Sequence, residues 1–225
     1  MLNHVGFIMD WNRRWAKKRF LPSFAWHKAW ADNLINIIKL SKEAWIKNVT
    51  FWALSTENII SRSQEELTWI FQLVEKLPDY LADMLNDWVK FEVIWDMDLL
   101  PASTSKVLTE TIEKTKNNDW ITMILAIAYG WRNEIIRWIK KFISSWDDIN
   151  LLNEKSFLNY IDTWRFPEPD LLVRTWWDIR LSWFLQYVSD YSEFYFSDKY
   201  WPDFDKIEFQ KAIESFNKAK RNHWK

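Results

Sequence analysis

Cysteine is absent from this chain of 225 residues. Disulfides, thiol nucleophiles and cysteine-ligated zinc are therefore excluded, in agreement with a cytoplasmic address. Histidine is nearly absent: only His4, His27 and His223 occur, too few for a multi-histidine metal centre. No apolar run reaches the roughly 18 residues of a membrane span, and no signal-like start precedes the first apolar segment. Neither charge is in excess, with 30 Lys+Arg against 31 Asp+Glu. That balance excludes a globally basic nucleic-acid binder and leaves room for a local basic site. The sharpest shortage is glycine. The chain has 2 glycines and 19 tryptophans, whereas average usage predicts about 16 glycines and on the order of 3 or 4 tryptophans. Two anomalies of similar size and opposite sign suggest tryptophan standing where glycine belongs.

Short apolar, β-branched runs alternate with longer helical patterns. Strands are expected at His4–Met9, Val49–Leu54, Val89–Ile94, Ile121–Ala128, Leu171–Val173 and Phe194–Phe196. Helices are expected at about Ala25–Ala44, Gln64–Asp87, Ser103–Lys116, Asn133–Ile143, Glu154–Ile161 and Asp205–Asn222. Near-continuous apolar strands separated by helices predict an α/β fold, with a mainly parallel sheet of about six strands covered on both faces. With no repeat, low-complexity tract or linker, residues 1–225 read as a single domain. Within 64–87, Leu67, Ile70, Phe71, Val74, Leu77, Leu81, Met84 and Leu85 form a wide apolar stripe, with Pro78 expected to kink it. Such a stripe packs a core or walls a long apolar cleft.

Four strands run directly into polar clusters. Asp10, Asn12, Arg13 and Arg14 follow the first; Ser55, Thr56, Glu57 and Asn58 the second; Arg132 and its neighbours the fourth; Arg174, Arg180 and Ser182 the fifth. In a parallel sheet these ends share one rim, where open α/β sheets bind ligands. Several arginines, hydroxyls, an amide and one carboxylate suit a phosphate-bearing ligand with Mg²⁺. Each cluster taken alone is also explained by helix capping and loop solvation. His27, near Lys17, Lys18 and Arg19, is a structural histidine or a phosphate donor at a helix start. His4 and His223 show no functional pattern.

Taken together, the stretches HVGFIMDWNRRWAKK, AWHKAWA, FWALSTEN, AIAYGWRNEI, DLLVRTWWDIRLSWFL and SEFYFSDKYWPDF resemble the motifs of the cis-prenyltransferases, specifically bacterial undecaprenyl diphosphate synthases, in order and spacing over essentially the whole chain. The resemblance implies condensation of isopentenyl diphosphate with an allylic diphosphate such as farnesyl diphosphate into long Z-polyprenyl diphosphate. By the same resemblance Asp10 helps ligate Mg²⁺ and assists departure of the diphosphate, and Glu193 helps hold the metal. Asn12, Arg13 and Arg14, with Trp15 in the same motif and His27 nearby, would cradle the allylic diphosphate. Arg174, Arg180 and Ser182 would grip isopentenyl diphosphate, Ser55, Glu57 and Asn58 would line the reacting centre, and the Leu67–Leu85 stripe would border a tunnel for the growing chain. The resemblance further implies a cytoplasmic homodimer, or one peripheral to the inner membrane face, whose product enters the membrane. The chain departs from the family pattern at Ser23 and Ser61, where arginines are common (Arg62 is adjacent), and at Ile179, where a histidine is common. A non-catalytic, dimerising relative is the alternative reading. A phosphohydrolase lacks the second carboxylate it needs near Asp10.

Trp11, Trp26, Trp30, Trp131, Trp176 and Trp177 occupy glycine positions of these motifs. Trp45, Trp88, Trp120 and Trp146 fall where helix C-caps and turns favour glycine, and Trp95, Trp138, Trp164, Trp183 and Trp224 fit the same set. Trp15, Trp52, Trp69 and Trp201 read as genuine. Overpacking costs about 1–3 kcal/mol per site, so some fifteen such sites outweigh a typical stability of about 5–15 kcal/mol. At Trp11, Trp176 and Trp177 an indole is expected to fill the space that a ligand needs. The chain as written is expected to fold poorly and to lack transferase activity.

Overall fold

The computed structural model describes residues 1–10, 12–21, 25–145, 148–158, 160–176 and 178–219; the side chains of Asn12, Arg13, Ala25, Trp26 and His27 lie outside the described set. Six strands, β1 (His4–Ile8), β2 (Asn48–Leu54), β3 (Val89–Trp95), β4 (Ile121–Ile127), β5 (Leu171–Arg174) and β6 (Glu193–Phe196), form one sheet in the order β3-β4-β2-β1-β5-β6. Every pairing in it is parallel. Each expected strand is present; β1 and β5 are buried throughout and β2, β3 and β4 largely so, which is why they read as apolar runs, whereas the edge strand β6 is only partly buried.

The pleat divides the core. On β1, Val5 and Phe7 face one cluster, which takes Leu34, Ile37 and Ile38 of α2 (Ala25–Glu43) and Phe209 and Ala212 of α9 (Lys206–Lys218). Phe7 lies 5.5 Å from Phe51 and 5.8 Å from fully buried Trp201, ring centre to ring centre. Ile8 faces the opposite cluster with Ile124 and Ala126, covered by Trp138 and Phe142 of α7 (Trp131–Ser145).

Two short helices were not expected from the sequence, α1 (Asn12–Lys18) and α3 (Thr56–Ser61). Seven and six residues are too few to establish an apolar period. The expected 64–87 helix is instead α4 (Gln64–Tyr80) and α5 (Ala82–Leu85), joined at Leu81 rather than kinked at Pro78. Pro78 stands in the last turn of α4, where its missing N–H loosens the exit rather than the middle. The remaining long helix, α6 (Ala102–Thr115), packs on β3 and α4; α8 (Glu154–Leu158) ends three residues before its expected limit of 161. No helix among the described residues is long and apolar enough to cross a membrane.

β1 and β5 are neighbours, although the chain leaves β1 towards β2 on one side and reaches β6 from β5 on the other. The crevice beyond their carboxyl ends is therefore the switch point of the sheet. Asp10 and Arg174 stand there.

Candidate active site

Arg174 is the last residue of β5 and only 5% exposed. Its Nε donates to Asp10 Oδ2 at 2.6 Å, its Nη1 to Ser182 Oγ at 3.0 Å and to the Arg180 carbonyl, and its Nη2 to Asp178 Oδ2 at 3.4 Å. One guanidinium thus ties the end of β1 to the whole 178–182 segment, as its planar fork of donors allows. The Asp10 backbone N–H donates to Thr175 Oγ1 at 3.0 Å, fixing the carboxylate from behind. Burial pushes the Asp10 carboxyl above its usual range, against the pull of Arg174. Asp178 also receives both forks of Arg180 at 2.8 Å, and the Arg180 side chain remains 59% exposed. Ser182 holds φ at 57°, a left-handed value that stores backbone strain at this rim.

On the other side of the crevice Ser55 follows β2 and caps α3, its Oγ accepting from the Asn58 N–H at 3.1 Å. The capping explanation of this cluster is therefore correct, and it coexists with a second role. Asp10, Ser55, Glu57, Asn58, Arg174 and Ser182 all line one cavity of about 530 Å³. Its inner wall is apolar: Ile8, Met9, Trp30, Trp52 and Leu54 meet Ile70, Leu73 and Val74 of α4. The stripe on α4 therefore does both things considered for it, since Leu67 and Leu77 pack into the core while Ile70 and Val74 face the cavity.

Several expected residues lie elsewhere. Glu193 opens β6 in register with Leu171, three positions before Arg174 pairs with Phe196. It stands two strands from β1, about three residues, or roughly 10 Å along the strand direction, before the carboxyl end of the sheet. Trp15 turns away from the cavity and donates its indole N–H to Asp203 Oδ1 at 2.9 Å, with Arg19 over its ring. Arg14 is exposed on α1. The side chains of Asn12, Arg13 and His27, like Trp11, Ser23, Trp146, Trp177, His223 and Trp224, lie outside the described residues. Arg132, at the start of α7, lies over the rings of Trp131 and Trp183. Arg62, next to the departing Ser61, reaches the cavity wall, and Ile179 is exposed. Trp176 corrects another expectation, because its ring does not enter the Asp10–Arg174 cavity. It stacks on Tyr200 at 3.9 Å in a separate recess beside Lys18 and Arg19. Asp178 and Thr175 were missed by the sequence reading; their position inside the fifth cluster was the available signal. His4 is a satisfied core residue, bonded to the Pro167 carbonyl at 2.6 Å and Thr50 Oγ1 at 2.7 Å.

Among the described residues no group of three or more histidine or carboxylate side chains could hold a metal alone. A single carboxylate beside phosphate-binding arginines nevertheless suits Mg²⁺, which is commonly held by one or two carboxylates together with substrate phosphates. Charge at the mouth and apolar surface within describe the complement of an amphiphile with an anionic head.

Known proteins resemble this chain in sequence and fold. The family model described as "Putative undecaprenyl diphosphate synthase" matches residues 8–223. An isoprenyl transferase of Thermotoga maritima is 40% identical over 97% of this chain and 94% of its own length. One from Streptococcus pneumoniae is 37% identical over 97% and 90%. Lavandulyl diphosphate synthase from Lavandula x intermedia, solved with dimethylallyl diphosphate, superposes with a TM-score of 0.91 at 29% identity, over 98% of this chain and 97% of that one. A probable undecaprenyl diphosphate synthase from Campylobacter jejuni gives 0.79 at 30% identity, over 99% and 98%. Sequence and fold agree along nearly the full length, and the chain belongs to the cis-prenyltransferase family.

Proposed function

We propose that the protein condenses isopentenyl diphosphate with an allylic diphosphate, farnesyl diphosphate first, and extends it into a long Z-polyprenyl diphosphate. The observation that carries this reading is the continuity of one cavity from the Asp10–Arg174–Ser182 mouth to the apolar wall of α4. A diphosphate fits the mouth and a prenyl tail fits the interior.

Arg174 holds Asp10 and the 178–182 segment in place, so Arg180 and Ser182 meet the diphosphate of the isopentenyl unit without large rearrangement. Arg180 exchanges one Asp178 contact for phosphate oxygens. Asp10 would hold Mg²⁺, which when bound would supply neutralisation of charge on the departing diphosphate. The allylic carbon–oxygen bond breaks, a carbon–carbon bond forms to the isopentenyl unit, and that unit passes a proton to the departing diphosphate. Ser55, Glu57 and Asn58 line the space where these atoms meet. Rate then comes from positioning and charge stabilisation, since the site offers no nucleophile–base pair. Asn12, Arg13, Arg14 and His27 complete the allylic diphosphate cradle. Residues 1–225 act as one cytoplasmic domain, and the product passes to the membrane. Ile136, Ile139 and Ile143, exposed at helical spacing on α7, supply an apolar face for a second copy.

The test is product length. In the chain with glycine restored at the expected glycine positions, Leu73→Trp in the α4 wall should shorten the polyprenyl product by several isoprene units while leaving the first condensation intact. A product of unchanged length would remove the cavity from the path of the growing chain.

A further inference from the structure

The tryptophans fall into two structural classes. Trp15, Trp52 and Trp201 donate their indole N–H to Asp203 Oδ1, the Tyr129 carbonyl and the Trp30 carbonyl at 2.9, 3.1 and 3.2 Å. These are three of the four that read as genuine in the sequence. At four of the expected glycine positions the fit fails, in two ways. Trp131 and Trp138 bury an indole nitrogen that finds no acceptor among the described residues, an arrangement that costs about 1–3 kcal/mol for each. Trp45 and Trp176 hold φ at 61° and 67°, which for a bulky side chain is a genuine outlier.

Position 45 shows most plainly what the backbone calls for. The Trp45 N–H donates to the Lys42 carbonyl at 3.1 Å and the Ile46 N–H to the Ser41 carbonyl at 3.0 Å, with Ile46 fully buried. This paired pattern is the Schellman motif, and its left-handed residue is normally glycine. The Trp45 ring meanwhile stands 68% exposed. Neither the hydrogen-bond pattern nor the exposure depends on the catalytic reading.

Four independent exchanges of glycine for tryptophan, at 45, 131, 138 and 176, would each carry such a penalty, and at about 1–3 kcal/mol each their sum is comparable with a typical folding stability of about 5–15 kcal/mol. One event that alters all of them together meets no such objection. The codon UGA, a stop in the standard table, is assigned to tryptophan in some genetic codes and to glycine in others. We infer that the protein made in its own cell carries glycine at Trp45, Trp131, Trp138, Trp176 and the other tryptophans at expected glycine positions, each specified by UGA decoded as glycine. Trp15, Trp52, Trp69 and Trp201 are tryptophan in that protein and are specified by UGG.

The partition is read directly from the gene and from the native protein. The expected result is UGG at positions 15, 52, 69 and 201 and UGA at 45, 131, 138 and 176. Peptide masses of the protein isolated from the parent cells should fall by one tryptophan-to-glycine difference at each of the latter positions. UGG codons at 45 and 176, or native peptides retaining tryptophan there, would overturn the inference. Enzyme activity does not enter this measurement, so its outcome is independent of the function proposed above.

Discussion

The loops leaving β4 and β5 lie on the same rim and meet crowding in opposite ways. After β4, Gly130 sits so close to α3 that a Cβ there would stand 2.7 Å from Thr56 Oγ1. The absence of a side chain lets Tyr129 bond back to the Leu54 carbonyl, and Trp131 N–H reach the Trp183 carbonyl at 3.1 Å. After β5, Trp176 carries the largest side chain on a left-handed backbone and relieves the crowding by laying its ring outward on Tyr200. The first loop is held by a glycine in contact with its neighbour. The second is strained in its backbone, while the side chain has found room. Crowding at position 176 is thus a local conformational cost rather than a blocked cavity, and the site charges remain assembled behind it.

Removing the organiser of the β5 loop should have the largest effect. Arg174→Ala leaves Asp10 buried beside an emptied position and should cost about 3–5 kcal/mol in denaturant unfolding. Condensation should fall by about 100-fold or more in the chain with glycine restored. A variant melting like its parent would show that the loop is organised by something else.

On the β4 side, burial raises the Glu134 carboxyl from 4.5 to about 7, despite the hydrogen bond from Tyr129 Oη at 2.9 Å. The folded chain then keeps a proton that the unfolded chain loses. Stability from this group is complete below pH 4.5 and falls as pH rises towards 7, by about 3 kcal/mol in all. Glu134→Gln should flatten that slope in melts across this range; an unchanged slope would assign the pH dependence to other groups.

Gly130→Ala should destabilise by about 1–3 kcal/mol, and Thr56→Ser, which keeps the hydroxyl, should not relieve it, whereas Thr56→Ala should recover part. Equal effects in both backgrounds would break the claimed contact between Gly130 and α3. The smallest effects belong to the tryptophans with positive φ. Trp45→Gly should stabilise by about 1–2 kcal/mol. Trp176→Gly should gain less, because the ring stack on Tyr200, worth about 0.5–1.5 kcal/mol, is lost with it. A larger gain at 176 than at 45 would contradict the view that its side chain has found room.

Five of the strands were legible because burial on both faces writes itself as apolar runs, the partly exposed β6 by its aromatic residues, and Asp10, Ser55 and Arg174 stood out because they lie at or just past strand ends. The α1 and α3 helices were not, being shorter than the two turns that a period needs. The register of Glu193 beside Leu171 was not legible, because a motif records neighbours along the chain and not across strands. Trp15 was drawn into the site by its motif although its indole pins α1 to Asp203. The cavity wall combined Trp30, Trp52 and Leu73 from three elements, a meeting that only the folded sheet brings about.

The most direct test compares this chain with its counterpart carrying glycine at the fifteen positions, each incubated with farnesyl diphosphate, labelled isopentenyl diphosphate and Mg²⁺. The account predicts long polyprenyl product from the glycine chain, abolished by Asp10→Ala, and little or none from the tryptophan chain. A cooperatively folded glycine chain that makes no product would contradict it.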